Sequence, residues 1–403
     1  MDMFRTLRHR PFRLLWTSAL LIQLAHWLAV VAFQWEVANR TNNNALLLGI
    51  LYFFTTAPFL LFSLPAGVLA DTRDRRRLLL AVLCCAVVLD SLCILLAGLD
   101  AMPTIMVTAL GFLAGCVVTV VSPTNQALIA GTVATADLAS AIPLQAAGLN
   151  LARILGPAVA GPLLMLAGST LAFTVCCLAA IAAVLLAWRL PAPPRPAFPP
   201  VRARMHRQVL AGIAHVRQRP PAAAALAITA ITSVFGSSYQ AQLPVVGARI
   251  SDDGNTAFLV LATLGGVGSL FGIFSVARRR GRMSLPAAAK QLTALGIVVA
   301  LVGMTTSAPL VALLIIAAGG LTLSIMTSIS SLLQQVIDDT QRGRVMSLYI
   351  LCWGGLLPFG GLAMGVLSQA TDPGWSFAIF GGVTAVAGLA STFRTGPGRT
   401  RLG

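Results

Sequence analysis

Runs of about twenty apolar residues follow one another through nearly the whole chain, from Leu14 to Phe393, with short polar segments between most of them. Because roughly 20 helical residues cross a bilayer core of about 30 Å, each run is long enough to span a membrane. The sequence therefore predicts an all-α integral membrane protein with twelve transmembrane helices in two pseudo-symmetric six-helix bundles. The predicted spans are 14–38, 45–69, 78–98, 104–130, 140–167, 170–189, 222–247, 257–277, 287–306, 309–333, 345–369 and 375–393.

The composition argues against a soluble protein of this length. Of the 403 residues, 57% are hydrophobic and 10% are charged, so the apolar surface exceeds what a soluble core could bury. The twelve spans nearly fill the chain and leave no room for a water-soluble catalytic domain. The N-terminal run lacks a small-residue cleavage site and leads straight into further spans, so an uncleaved first helix is expected.

The basic residues are unevenly distributed between the two sides of the predicted membrane protein. The net charge is +16, and 25 of the 28 basic residues lie near the loops that a twelve-span arrangement places on one side. This bias predicts a multi-pass membrane protein with both termini in the cytoplasm, and we expect it in the bacterial inner membrane. The exceptions are Arg40 and Arg249 on the opposite side and Arg153 within a span. No recognition-helix, zinc-ligand or aromatic-rich basic pattern accompanies the charge, so nucleic acid is not an expected partner.

A proline-rich, basic segment divides the chain into two halves. We predict an N-terminal six-helix bundle at 1–189, a cytoplasmic linker at 190–220 and a C-terminal six-helix bundle at 221–403. The linker is either a solvated basic segment or contains an amphipathic surface helix, whose apolar face would be formed by Met205, Val209, Ile213 and Val216. Residues 67–77 align with 272–282, sharing a glycine and several arginines, which supports a parallel repeat of two halves.

Cofactor and enzyme chemistry have little support in the sequence. The seven cysteines lie in apolar segments, so we interpret them as packing residues rather than disulfides or metal ligands. The chain has one lysine and four histidines, two of which lie in the linker, and no Gly-Lys-Ser phosphate loop. We therefore expect no enzyme activity, no metal and no cofactor.

A signature follows the second predicted span. Gly67, Leu69 and Asp71, together with the basic run Arg75, Arg76 and Arg77, resemble the motif that the major facilitator superfamily carries between its second and third helices. This resemblance implies the major facilitator fold and secondary transport of a small molecule.

Two further motifs resemble the branch of that superfamily that includes the enterobactin exporter and several macrolide efflux proteins. The motif in the fifth span includes Asn150, Arg153, Gly156, Pro157 and Gly161, whose small residues favour either close helix packing or a local bend. The other motif, with Arg342 and Arg344, lies at the entry to the eleventh span. The resemblance implies efflux of a siderophore or a drug-like compound.

The resemblance also implies a gate on the cytoplasmic side. Asp71 is expected near the start of the eleventh helix, where a helix N-terminus and Arg344 would favour a carboxylate. Arg75 is expected to meet Asp137 in the loop between the fourth and fifth spans. The alternative is that these residues only set membrane topology.

Four ionisable residues inside the spans are candidates for proton coupling or substrate binding, because a charge at mid-bilayer costs about 2.5–3.5 kcal/mol on insertion scales. They are His26, Glu36, Asp90 and Arg153. A carboxylate or a histidine can load and release a proton, whereas Arg153 would pair with a carboxylate or attract an anionic substrate. The alternatives are a neutral hydrogen-bonding His26, an interfacial Glu36, and structural pairs for Asp90 and Arg153.

Further polar residues in the spans could line a cavity: Gln23, Gln34, Asn125, Gln126, Gln145, Asn150 and Gln240. We expect a monomeric secondary transporter that works by alternating access and uses the proton gradient as its energy source. Export of an amphipathic small molecule is favoured. The alternatives are uptake of a small nutrient and a receptor or scaffold that transports nothing.

Overall fold

The computed structural model describes residues 3–129, 131–134, 137–191, 216, 218–278, 284–337 and 339–394. All regular structure in these ranges is helical. The chain forms two compact units: unit 1 consists of residues 1–40 and 57–202, and unit 2 of residues 41–56 and 203–403. The possible amphipathic helix of the linker lies outside the described residues except at Val216 and Gln218.

Unit 1 contains five helices, of which α2 also contributes its first part to unit 2. A short 3-10 helix, Met3–Arg8, precedes them. The helices are α1 (Arg10–Thr41), α2 (Ala45–Thr72), α3 (Arg75–Gly98), α4 (Thr104–Ile129) and α5 (Leu138–Trp188). Buried side chains from four of these helices form one core, exemplified by Phe12 of α1, Leu83 of α3, Val121 of α4 and Ala180 of α5.

The long helix α5 is two membrane spans in succession. Its 51 residues would extend about 76 Å if straight, more than twice a bilayer core of about 30 Å. Ala167 has φ −151° and Gly168 has φ +66°, so the helix breaks between residues 166 and 169. Glycine tolerates this positive φ because it lacks a Cβ atom. The break agrees with the predicted boundary between the fifth and sixth spans.

Unit 2 contains the remaining helices, and two of its membrane spans each consist of two helices joined by irregular turns. They are α6 (Pro220–Ile231), α7 (Leu243–Ile250), α8 (Gly254–Arg278), α9 (Leu285–Met304), α10 (Ala308–Val336), α11 (Asp339–Ile350), α12 (Leu357–Ala370) and α13 (Pro373–Arg394). A π-helical turn at Thr232–Gly236 and a 3-10 turn at Ser238–Gln242 join α6 to α7 as the seventh span. A second π-helical turn, Leu351–Gly355, joins α11 to α12 as the eleventh span.

Eleven helical stretches among the described residues are long and apolar enough to cross a membrane. One of them, Ser140–Trp188, contains the break at residues 167–168, so the predicted twelve spans correspond to these eleven stretches. Large apolar side chains on the surfaces of these stretches are exposed, as expected where lipid surrounds the protein. The exposed fraction is 81% for Ile105 and 78% for Leu166. Exposed Trp188 and Trp375 lie near span ends, where an aromatic belt meets the bilayer surface.

The first part of α2 differs from the predicted division of domains. Residues 41–56 were expected in the N-terminal bundle at 1–189, but they group with unit 2. There, Gly49 of α2 lies against the backbone at Gly361 and Gly365 of α12. Gln242 Nε2 donates a hydrogen bond of 3.0 Å to the Ala45 carbonyl. Small residues allow this close helix approach, which span hydropathy alone could not indicate.

Candidate functional site

Three tryptophans of α1 lie against three glycines of α5 in the same order along both helices. At the first contact, Trp16 Nε1 donates a 3.0 Å hydrogen bond to the Leu144 carbonyl, and a Cβ atom at Gly148 would lie 2.9 Å from that nitrogen. We call this surface the Trp–Gly seam; its pairs are Trp16 with Gly148, Trp27 with Gly156, and Trp35 with Gly168.

The middle of the Trp–Gly seam holds Arg153. Its guanidinium carbon lies 5.0 Å from the centroid of the Trp27 ring, a cation–π contact that compensates part of the cost of a charge within a span. One turn farther along, a Cβ atom at Gly156 would overlap Trp27 Cβ and its backbone. The fifth-span motif therefore brings α5 against α1 and places a positive charge there.

The other motif residues of α5 differ in their surroundings. Gly161 is buried and Pro157 is half-buried, and the backbone stays helical through both of them until the break at Ala167. Asn150 is half-buried, and its Nδ2 donates to the Ala146 carbonyl of its own helix at 3.1 Å. Of the two roles expected for these small residues, the contact at Gly156 matches close packing.

A cluster of charged and polar groups joins the C-terminal end of α1 to two other elements. Glu36 is buried (4% exposed) and accepts hydrogen bonds from Arg40 Nε at 2.9 Å and from Ser169 Oγ. Arg40 Nη2 donates to Asp100 Oδ1 at 2.5 Å, just beyond the end of α3. We call Glu36, Arg40, Asp100 and Ser169 the arginine clamp. It ties α1 to the end of α3 and to the start of the second segment of α5.

Unit 2 places an arginine at a corresponding position. Arg249, in the last turn of α7, donates from Nη2 to the Gly303 carbonyl near the end of α9 at 2.9 Å. Thus Arg40 and Arg249 each connect the end of the first span of a unit to the end of its third span. Sequence analysis singled out both residues only as exceptions to the charge bias.

His26 and Asp90 line one cleft between α1, α3 and α4. Its other walls are apolar and include Ala29, Leu89 and Val117. The cleft has room for about one water molecule. His26 Nδ1 is buried without a hydrogen-bond partner in the described part of the chain. The fold thus brings together two of the four ionisable candidates, whereas Glu36 belongs to the arginine clamp and Arg153 to the Trp–Gly seam.

The basic motif between α2 and α3 contacts the ends of other helices. Arg75 Nη1 donates to the Ala127 carbonyl of α4 at 3.0 Å, and Arg76 Nη2 donates to the Trp188 carbonyl at the end of α5. Cationic side chains are favoured at helix C-termini, where carbonyls lack partners. Both arginines therefore hold helix ends of unit 1 together.

The acidic and small residues of this motif have simpler surroundings. Asp71 lies 4.0 Å from Arg75 and its side chain is 61% exposed. Arg77 donates its backbone N–H to Asp74 Oδ1 at 3.0 Å, so Asp74 caps the start of α3. A Cβ atom at Gly67 would meet no described atom within 4 Å, so no steric contact with the described residues explains this glycine.

The expected contact between Arg75 and Asp137 is not formed in this structure. Asp137 Oδ2 instead lies 3.0 Å from His9 Nε2, in the segment just before α1. Both side chains are partly exposed, and the α4–α5 loop places Asp137 beside the N-terminal segment rather than beside Arg75. Arg342 and Arg344 belong to α11, but their side chains lie outside the described residues.

The predicted cavity-lining residues do not share one environment. Gln34, Asn125 and Gln145 are buried, whereas Gln126 is exposed. The amide oxygens of Asn125 and Gln145 are buried without a hydrogen-bond partner among the described residues. Cys93, Cys176 and Cys177 are buried as expected for packing residues, but Cys84 and Cys85 are exposed on α3.

The family model described as transmembrane secretion effector, of the major facilitator superfamily, matches residues 2–396. The chain belongs to this family. A relative, the staphyloferrin A transporter of Staphylococcus aureus (strain NCTC 8325 / PS 47), is 24% identical over 370 residues, which cover 91% of each chain. The family and this relative are transporters, so the recognition made from the three motifs is confirmed.

Solved structures of other transporters share the fold of this secretion effector family member. A mutant of the nucleoside transporter NupG has a TM-score of 0.75 at 12% identity, covering 95% of this chain and 99% of that one. The D-xylose-proton symporter has a TM-score of 0.72 at 14% identity, with coverages of 96% and 98%. The expected major facilitator fold is thereby confirmed.

Several residues of the site escaped sequence analysis. Ser169, His9 and the three tryptophans of the Trp–Gly seam have ordinary identities for a membrane protein, and only their partners make them notable. One signal was available for the seam. Glycine spacing on the fifth span indicated a closely packed partner helix, although it could not identify α1.

Proposed function

We propose that this member of the secretion effector family exports a small anionic, amphipathic molecule across the bacterial inner membrane in exchange for protons. The observation that carries the proposal is the family match, which extends over residues 2–396. A secretion family favours the outward direction over uptake of a nutrient. The charge bias of the loops supports cytoplasmic termini, and we propose a monomer that needs no cofactor beyond the proton gradient.

The proposed cargo class is a siderophore with carboxylate groups, and a drug-like compound is the second candidate. Arg153 supplies a positive charge within a span, stacked on Trp27 in the Trp–Gly seam. A guanidinium matches a carboxylate in both charge and geometry. The related protein from Staphylococcus aureus is named for staphyloferrin A, so staphyloferrin A is the natural probe for this chain.

The proposed gate lies at the motif between α2 and α3. Asp71 is exposed and only 4.0 Å from Arg75, so it is accessible for exchange between partners. In the proposal, Asp71 contacts the start of the eleventh span in one state of the alternating-access cycle and releases it in the other. Asp71→Asn should abolish release while membrane insertion stays normal. Asp74→Asn is the matched control, because asparagine also caps a helix.

The function is tested by expression in cells that lack their own exporters. Release of staphyloferrin A and of a fluorescent hydrophobic dye is followed with and without a protonophore. Release that collapses with the protonophore supports proton-coupled export, and the preferred probe identifies the cargo class. Uptake of either probe would contradict export and indicate an importer. Normal membrane insertion without movement of either probe would favour a receptor or scaffold that transports nothing.

Arg153→Gln tests the anionic cargo. A hydrogen bond to a charged group is worth about 1.5–3 kcal/mol, so staphyloferrin A release should fall by about tenfold to hundredfold. Dye release should change less. Arg189→Gln is the matched control because this arginine is exposed at the end of α5. Equal losses for both probes would contradict a role in selecting anions.

A further inference from the structure

The cleft between α1, α3 and α4 contains two titratable side chains in otherwise apolar surroundings. Besides His26 and Asp90, the residues that line it are apolar, such as Ala29 of α1, Leu89 of α3 and Val117 of α4. A charged carboxylate is costly in such surroundings unless a partner or water compensates it. A charged form of either side chain in this cleft therefore needs a hydrogen-bond partner or a water molecule.

Among the described residues, the hydrogen bonds of the two side chains are incomplete. His26 Nδ1 is buried and has no partner there, and Asp90 forms no hydrogen bond or ion pair with any part of the chain that the structure describes. Buried polar groups are normally satisfied by protein or by ordered water. The space of about one water molecule suits a bridge between the imidazole and the carboxyl group.

The other charged candidates of unit 1 are committed to different partners. Glu36 is held by Arg40 and Ser169 in the arginine clamp. Arg153 stacks on Trp27. Two further titratable groups are the thiols of Cys93 on the same helix as Asp90 and Cys176 on α5; both are buried, and Cys176 Sγ donates to the Ala25 carbonyl. Thiols in an apolar region stay neutral, so among the described residues that line the cleft no fixed charge competes for the proton.

We propose that His26 and Asp90 form a single proton-binding site, bridged by one water molecule, and that this site couples proton movement to cargo movement. The coupling role rests on the proposed export function. The proton binds a carboxylate oxygen of Asp90, or the water that joins it to His26 Nδ1. An O–H bond forms when the proton arrives and breaks when the same proton leaves to the other side of the membrane as access alternates, and no other bond of the protein changes. Glu36 is thereby assigned to the architecture of unit 1 rather than to coupling.

Infrared difference spectroscopy of the purified full chain in lipid tests the site without any cargo. Spectra recorded between about pH 5 and about pH 9 should show a titrating band of a protonated carboxyl group. Asp90→Asn should remove the band, Asp90→Glu should retain one, and His26→Gln should shift its frequency because a hydrogen-bond partner is lost. Glu36→Gln, which also removes a carboxyl group, should leave the band unchanged.

Transport in liposomes tests the coupling. With an imposed proton gradient, Asp90→Asn should lower staphyloferrin A release by about tenfold or more, the size of a typical coupling between two sites. Exchange of labelled for unlabelled staphyloferrin A without a gradient should persist, which a merely misfolded variant would not show.

Two results would overturn the proposal. A carboxyl band that persists in Asp90→Asn would place the proton elsewhere, and a band unaffected by His26→Gln would separate the two residues. If the unaltered protein moves neither probe, the export function fails, but the infrared bands still decide whether the proton site exists.

Discussion

In both units, an arginine at the end of the first span bonds to the end of the third span, but the acceptor groups differ. In unit 1, Arg40 reaches the end of α3 through exposed Asp100 and is also bound by the buried Glu36 of its own helix. In unit 2, Arg249 reaches the end of α9 through the Gly303 carbonyl. The comparison shows that one architectural contact can be made with or without a buried acid. It follows that an acid inside a span need not be a transport residue.

The contacts between the first and fifth spans of each unit differ as well. In unit 1, Trp16 and Trp27 of α1 pack against Gly148 and Gly156 in the regular part of α5, and Trp35 packs against Gly168 at its break. In unit 2, both partners contain π-helical turns, and Ser233 Oγ of one donates to the Trp353 carbonyl of the other at 2.6 Å. Since π-turns often occur at functional sites, the first and fifth spans of unit 2 carry a functional signature that the corresponding spans of unit 1 lack in the described residues.

Removal of Glu36 should have the largest effect on stability. Glu36→Ala leaves exposed Asp100 as the remaining carboxylate partner of Arg40. It should lower the free energy of unfolding by about 2–3 kcal/mol. This loss is smaller than for a fully buried ion pair because the Arg40 side chain is 26% exposed. Denaturant titration in micelles measures this loss. Asp100→Asn, at a side chain that is 89% exposed, should cost less than about 0.5 kcal/mol. Equal costs for the two variants would refute a buried anchor.

A substitution in the Trp–Gly seam should come next. Gly156→Ala forces a methyl group into Trp27 and should destabilise unit 1 by about 1–3 kcal/mol, since overpacking moves backbone or side chains. Gly67→Ala is the matched control, since in the described part of the chain no atom lies within 4 Å of the added Cβ. Thermal unfolding of both variants in the same detergent is the measurement. A Gly156→Ala protein as stable as the control would contradict close packing at the seam.

The arginine of unit 2 sharpens the comparison with Arg40. Arg249→Gln removes the charged donor to Gly303 and should cost about 1.5 kcal/mol. Because the acceptor is a neutral carbonyl, this cost should stay nearly constant as salt concentration rises, whereas that of Arg40→Gln should fall. The two variants are compared by denaturant titration at low and high salt. A salt-dependent Arg249 effect would indicate an unrecognised acidic partner.

The hydrogen bond between the two π-turns should have the smallest effect. Ser233→Ala is expected to cost about 0.6 kcal/mol, the average for such bonds between membrane helices. Ser275→Ala, which removes a hydrogen bond within α8, controls for loss of a hydroxyl group. If the π-turns serve adaptability, Ser233→Ala should alter transport rate more than stability. Unchanged transport would assign this contact to packing only.

The sequence was sufficient to predict the spans, the fold and the break in α5 between the fifth and sixth spans. These features depend on the local hydropathy of each segment and on a glycine where the chain turns. They can therefore be predicted from each segment separately. The three motifs identified the superfamily for the same reason, because each is a short run of residues. His26, Glu36, Asp90 and Arg153 could likewise be singled out by their depth in the spans.

Only the tertiary structure showed that those four residues lie in different surroundings. It placed Glu36 with Arg40 and Ser169, Arg153 with Trp27, and His26 in a cleft with Asp90. It also paired Asp137 with His9 rather than with Arg75, and grouped residues 41–56 with unit 2. Such pairings depend on the rotation of each helix about its axis and on contacts between residues far apart in the chain. A membrane span is apolar on all sides, so its hydropathy does not mark the face that meets a neighbour.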